Sequence, residues 1–297
     1  MANKARPEFT AEEILDFLLL LPADSGNSRT ITVKADAHRE TIILEESSVI
    51  SNDVNNQKIK AKGNAVFLGR VTNSSILVAG KAEFQGECQN SYIHASNDIV
   101  IRSGTFCDIF SEENIEIGVE LHNCIVNAGH QILAENAIVY GGNITAMTLI
   151  RLCRAYKPND YTNLTLSLYD KMQISAKQRL LDKKIQLDEK IIEAIKLKLQ
   201  ITVKRLISEN KLQPNNPEIE QLQRQRTEME KRLFEHRALL EKLRSPVEFD
   251  FTKRIEITGK INALAAIEIG ALRYTTPSAL EKIAFYRKNQ KIETVQL

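Results

Sequence analysis

Five histidines and four cysteines are the side chains in this sequence that could carry chemistry: His38, His94, His122, His130 and His236, with Cys88, Cys107, Cys124 and Cys153. Metal sites and thiol redox pairs are built at short ligand spacings, and neither a CxxC element nor an i, i+4 histidine pair occurs. No metal and no cofactor are expected, and the cysteines read as buried reduced thiols, with Cys88 in an inward position. His94 stands between apolar Ile93 and Ala95, so strand alternation turns it outward as a solvated residue, and His130 falls in a turn. Both are surface histidines on this reading rather than catalytic bases. A phosphate-binding Walker loop, a dinucleotide fingerprint, HExxH and GxSxG are all missing, and the isolated pairs Gly80-Lys81 and Gly259-Lys260 sit at strand turns. No catalytic residue is expected.

Composition narrows the partners. The 40 basic and 38 acidic residues are mixed along the chain for a net charge of +2, which gives neither nucleic acid nor an acidic membrane an electrostatic reason to bind. The one membrane-like string, Ile14 to Leu21, is far shorter than the ~20 residues a spanning helix needs, so no membrane insertion is expected. A short helix is expected there instead, with Thr10 and Glu13 as a capping box and Phe9 and Ile14 as its hydrophobic staple. No basic segment leads directly into that string, and a cytoplasmic location without an export signal is expected.

The element that must position every one of these residues is a repeat of sixteen to seventeen residues. Three apolar columns recur: Ile59, Ile76, Ile93, Ile109 and Ile125; Ala65, Ala82, Ile99, Ile115 and Ile132; Val71, Cys88, Thr105, Leu121 and Ile138. A second apolar or small residue usually follows two places later, as Val78 follows Ile76 and Ile101 follows Ile99, which is the period of a strand. Turn residues such as Lys62-Gly63-Asn64 and Ser96-Asn97-Asp98 fall between the columns. Three short strands per coil, each burying alternate side chains on the coil below, describe a parallel β-helix.

From about Leu164 the composition turns helical. Leu181, Ile185, Asp188, Ile192, Ile195, Leu199, Thr202 and Leu206 follow the 3,4 spacing of a coiled-coil seam, and so do Ile219, Leu222, Arg226, Met229, Leu233, His236, Leu240 and Leu243. Asn210 to Pro217, with two prolines, separates them. The two seams predict an antiparallel hairpin in which facing numbers sum to 428, pairing Leu206 with Leu222 and Leu199 with Met229, over roughly 40 Å at ~1.5 Å per residue. Polar Asp188, Thr202, Arg226 and His236 in the seams are expected to set register at a cost in stability, the alternative being a pH switch between Asp188 and His236.

The residues ahead of the hairpin, Leu166, Leu168 and Met172, then lack a partner in the seam. One place after the first column the chain reads Lys60, Leu77, His94, Phe110, Val126 and Thr145, an outward strip with an apolar patch at Leu77, Phe110 and Val126. Internal docking of Leu166, Leu168 and Met172 on that strip is expected; the alternative makes these six residues a binding site for another protein or a second copy of the chain.

Beyond Pro246 the strand pattern returns at Ile255, Ile257, Ile261, Ile267 and Ile269, so the hairpin is an insertion in one solenoid, and Ile283 to Ile292 supplies a closing hairpin. The expected domains are 1–54, an N-terminal helix with capping strands; 55–153, the first part of the solenoid; 154–247, the helical segment and hairpin; and 248–297, the continuation and cap. On these coils, on the hairpin 181–247 and on the resumed strands Arg254 to Ile261 and Ala266 to Gly270, the layout resembles the flagellar assembly protein A family of bacteria. That resemblance implies a right-handed parallel β-helix split by an antiparallel coiled-coil hairpin: mainly β with a long α insertion. It further implies a non-enzymatic protein, cytoplasmic or polar, connected with flagellar assembly or cell-surface regulation through contacts with other proteins. It transfers no functional residue. The alternatives are a hexapeptide-repeat-like acyltransferase, whose coils keep close to eighteen residues, and a bactofilin-like polymerising filament, whose solenoid has no hairpin.

Overall fold

In a coil whose strands alternate apolar and polar residues, only stacking on another coil buries the inward set, and this chain repeats that step from residue 41 to residue 269. The computed structural model describes residues 8–10, 14, 17, 29–32, 41–157, 159, 162–168, 171–209, 216–244 and 253–297. It divides into two units, Met1–Asp170 with Phe249–Leu297, and Lys171–Glu248.

The first unit is a parallel β-solenoid with three strand columns per coil. In the first, Ile42, Ile59, Ile76, Ile93, Ile109, Val126, Ile144, Leu166 and Ile267 stack in register. The second stacks Ser48, Ala65, Ala82, Ile99, Ile115, Ile132, Ile150 and Ile255. Val54, Val71, Cys88, Gly104, Leu121, Val139, Ala155 and Ile261 form the third. Nearly all of these are fully buried, and each Ile or Leu so placed contributes about 1.5–3 kcal/mol. Between the second and third columns, Phe67 stacks on Phe84 at 4.7 Å between ring centroids, the spacing of the coils themselves.

Three positions depart from the sequence reading by one residue each. Val126, not Ile125, is inward; Gly104, not Thr105; and Val139, not Ile138. The first-column step is seventeen residues from Ile42 to Ile93, sixteen to Ile109, seventeen to Val126 and eighteen to Ile144, and a register shift between Ile101 and Ser103 moves the third column by one place, so counting at a fixed step slips. At Gly104 an added Cβ would come within 3.0 Å of the Leu121 side chain, which is why the column narrows there. The segment read as the start of a helix is also a strand: Leu164–Leu168 pairs with residues 142–146 on one side and, through Thr165 to Leu168, with Ala266–Ile269 on the other. Alternation of leucine with threonine and serine there is a strand signal that leucine content had masked.

The coil after the hairpin stacks directly on the coil before it, Leu149 to Leu152 pairing with Arg254 to Ile257. An ion-pair row fixes that join: Arg151 binds Glu135 and Glu256, and Arg254 also binds Glu256. Burial alone would push the Glu256 carboxyl up, but the hydrogen bonds and charges of Arg151 and Arg254 hold it below the ordinary range. At the far end, Leu280–Lys288 pairs antiparallel with the last coil and with Lys291–Gln296, covering the core with Phe285. Open solenoid ends expose unpaired backbone, and this hairpin supplies the cover.

The second unit is a pair of helices, Lys171–Ser208 and Pro217–Arg244. Asn216 caps the second: its Oδ1 accepts the backbone N–H of Glu218 at 3.0 Å and of Ile219 at 3.4 Å, with Pro217 at the first helical position. The seam residues Leu181, Asp188, Ile192, Thr202, Leu206, Leu222, Met229 and Leu240 are buried as expected, whereas Arg226 is exposed. The pairing register differs from the expected 428. Cross-helix contacts join Asp188 to His236 and to Arg232, Glu189 to Arg237, and Arg205 to Glu218, whose numbers sum to between 420 and 426. The helices are thus offset by about one turn, which sets Thr202 level with Leu222 and Ile195 level with Met229. Matching leucine to leucine favoured 428, but fully buried Asp188 needs cationic neighbours more than Leu206 needs a leucine.

Candidate interaction surface

Outward positions of the first column run Lys60, Leu77, His94, Phe110, Asn127 and Thr145. Leu77 is wholly buried, because Phe9 and Phe17 pack on it and on Ala79, with Ile14 and Tyr92 alongside. Ile14 donates its N–H to the Thr10 carbonyl at 3.0 Å, a helical turn beginning where the sequence placed one. Glu13, the other half of the expected capping box, lies outside the described residues. The ammonium groups of Lys58 and Lys60 sit 4.9 and 5.2 Å from the Phe9 ring centre, a cation–π pair that helps seat this segment.

His94 is not solvated. The Tyr92 hydroxyl lies 3.3 Å from its Nδ1, and its Nε2 lies 3.3 Å from Glu112 Oε1. With a carboxylate accepting at Nε2, the proton belongs on that nitrogen, and Nδ1 accepts from the tyrosine. Phe110 closes the group, 5.5 Å from the Tyr92 ring and 6.0 Å from the His94 ring. His130 likewise belongs to a corner ladder, its Nδ1 3.1 Å from Asn114 Oδ1, while Asn114 Nδ2 donates to Asp98 Oδ1 at 2.8 Å. His122 stacks on Tyr140 at 4.4 Å, and Tyr140 on Tyr156 at 5.8 Å, an outward aromatic row on the third column. His38 lies outside the described residues. Among the described residues no group of three or more His, Cys, Asp or Glu could hold a metal ion.

Two of the cysteines, Cys107 and Cys124, replace serines in a structural ladder. Gln57 N–H donates to Ser74 Oγ and Ser74 N–H to Ser91 Oγ; two coils on, Cys107 N–H donates to Cys124 Sγ at 3.4 Å. Burial pushes the Cys88 thiol up, and the hydrogen bond with Cys107, followed by burial, does the same for Cys124. Cys153 is only half-buried.

Of the six residues expected to form the interaction site, three cannot take part. Val126, Leu166 and Leu168 point into the core, because the register shift and the strand at Leu164–Leu168 turn them inward. Leu77 is already covered. Phe110 remains outward and half-exposed, and the side chain of Met172 lies outside the described residues.

The structure brings forward two others. A ladder of left-handed residues marks the corner before the first column: Asn56, Asn73, Asn90 and Asn123, at φ between +46° and +56°, then Gly141 at +67°. Asn is among the few residues that tolerate that conformation, and the side chains also bond from coil to coil, Asn90 Nδ2 donating to Asn73 Oδ1 at 2.8 Å. Phe106 holds the same place at φ +54° and is 57% exposed. A bulky aromatic there is strained without a packing gain to offset it. One coil further, Ile125 is 46% exposed beside Asn123 and pairs with Asp108, two residues after Phe106. The signal was legible: asparagine recurs at the repeat spacing, and Phe106 interrupts it.

No helix among the described residues is long and apolar enough to cross a membrane. No curated protein and no solved structure matches the chain. A solenoid of three-column coils, interrupted by a helical hairpin and resumed in register, agrees with the family model that matches residues 43–292, the Flagellar Assembly Protein A beta solenoid domain, and the chain belongs to that family.

Proposed function

We propose that this protein is a non-enzymatic, cytoplasmic docking platform that binds other proteins in flagellar assembly or cell-surface regulation, with the pole as its place of action. Phe106 carries the reading: a strained, exposed aromatic set among asparagines, with exposed Ile125 on the neighbouring coil, is what a contact surface retains and a merely structural corner discards. Support for a non-catalytic role comes from His94 and His130, whose ring nitrogens are engaged in hydrogen bonds within the coils.

The test is complementation of a gene deletion in the native cell, scored by flagellar number and surface phenotype. Wild-type protein should restore both, and Phe106→Ser with Ile125→Ser, present at equal level, should not. Full rescue by the double variant would overturn the docking surface. A photo-crosslinker at position 106 identifies the occupant; adducts only with a second copy of the chain would replace the hetero-partner by self-association.

A further inference from the structure

The hairpin's first helix carries more apolar surface than its partner helix uses. Leu187, Ala194 and Ile201 stand at seven-residue intervals, with Ile191 and Leu197 beside them at i+4 and i+3, a second heptad row off the seam. Leu197 and Ile201 are 58% and 59% exposed, Ala194 is exposed, and Leu187 and Ile191 are half-buried. Interleaved with that row are exposed Lys183, Lys190, Lys198 and Lys204, against one exposed carboxylate in the same stretch, Glu193. The helix holds ten basic and four acidic residues in a chain of net charge only +2, so positive charge is concentrated here.

We propose that this row is a second docking seam, which takes an acidic amphipathic helix of a partner protein as a third strand of the coiled coil. The charge selects the occupant. A second copy of the same helix would set lysine against lysine along the whole seam, whereas glutamates flanking a partner's apolar stripe would meet Lys183, Lys190, Lys198 and Lys204 in turn. A bilayer fits less well, because the row holds no aromatic residue of the kind interfacial helices use. This seam lies on the helical unit and is independent of the Phe106 face.

Fluorescence anisotropy of the full chain with a labelled peptide of about three heptads, leucine at a and d and glutamate at e and g, tests it. Binding is expected to weaken about tenfold or more when the glutamates become lysines, and to weaken as salt rises. Lys190→Glu with Lys198→Glu should reverse the preference between the two peptides. Leu197→Ser with Ile201→Ser should abolish binding while helical circular dichroism is unchanged. Equal binding of both peptides, binding of neither, or capture of phosphatidylserine vesicles or of a second copy through the same residues would each overturn the proposal.

Discussion

At the scale of single residues, backbone strain is a cost that a sequence keeps only where something offsets it. Phe106 at φ +54° stands where four asparagines and a glycine stand in neighbouring coils. A left-handed conformation costs an ordinary L-residue about 1–2 kcal/mol, and Asn avoids most of that cost. Phe106→Asn should therefore raise stability by about 1 kcal/mol, read as a higher urea midpoint with an unchanged slope. A lower midpoint would show that the ring packs more than its exposure indicates. The histidines illustrate what sequence could and could not reveal. Alternation correctly turned His94 outward, but its cover of Tyr92, Phe110 and Glu112 comes from neighbouring positions and coils, and spacing along one strand does not show it. Cys107 and Cys124 were read correctly as buried thiols, because a small apolar residue at the repeat spacing is a core signal whatever its chemistry.

At the scale of elements, periodicity showed which segments are strands and which are helices, and failed where one residue decides the register. Coils of sixteen to eighteen residues share the same apolar spacing within a strand, so the slip at Ile125, Thr105 and Ile138 is invisible until backbone pairing fixes it. Leu164–Leu168 was lost because leucine serves both helix and strand. The hairpin seams were legible, but their offset was not: apolar matching favours one register, and the buried Asp188 carboxylate, 2.8 Å from His236 Nδ1 and 3.4 Å from Arg232 Nε, favours another. With the native cysteines replaced by serine, Ile195→Cys with Met229→Cys should cross-link rapidly under mild oxidation, and Leu199→Cys with Met229→Cys slowly. The reverse order would restore the expected sum of 428 and leave the Asp188 contacts unexplained.

At the scale of the whole molecule, the hairpin is inserted in the chain between two strands of the solenoid and interrupts none of its columns. In the coil before it, Ala146 and Leu149 are joined by Met147 and Thr148 alone; in the coil that carries the insertion, the residues paired with them are Leu168 and Arg254. Residues 169–253 thus stand where two residues suffice one coil earlier. The apolar stack runs from Leu166 to Ile267 and from Ile150 to Ile255 without passing through a helix, so its burial does not depend on the insertion. Replacing 169–253 by a corner of two or three residues should accordingly leave a soluble, cooperatively folding solenoid. Circular dichroism should lose its helical bands and keep its strand signal, and the thermal midpoint should match or exceed that of the full chain, because closing a short loop costs less entropy than closing a long one. The shortened chain should retain the Phe106 face and its crosslinks while losing binding of the acidic peptide, which separates the two surfaces by unit. An aggregated or molten product would show instead that the hairpin is needed to stack the final coils, and the solenoid would then have to be regarded as two halves joined through the helices.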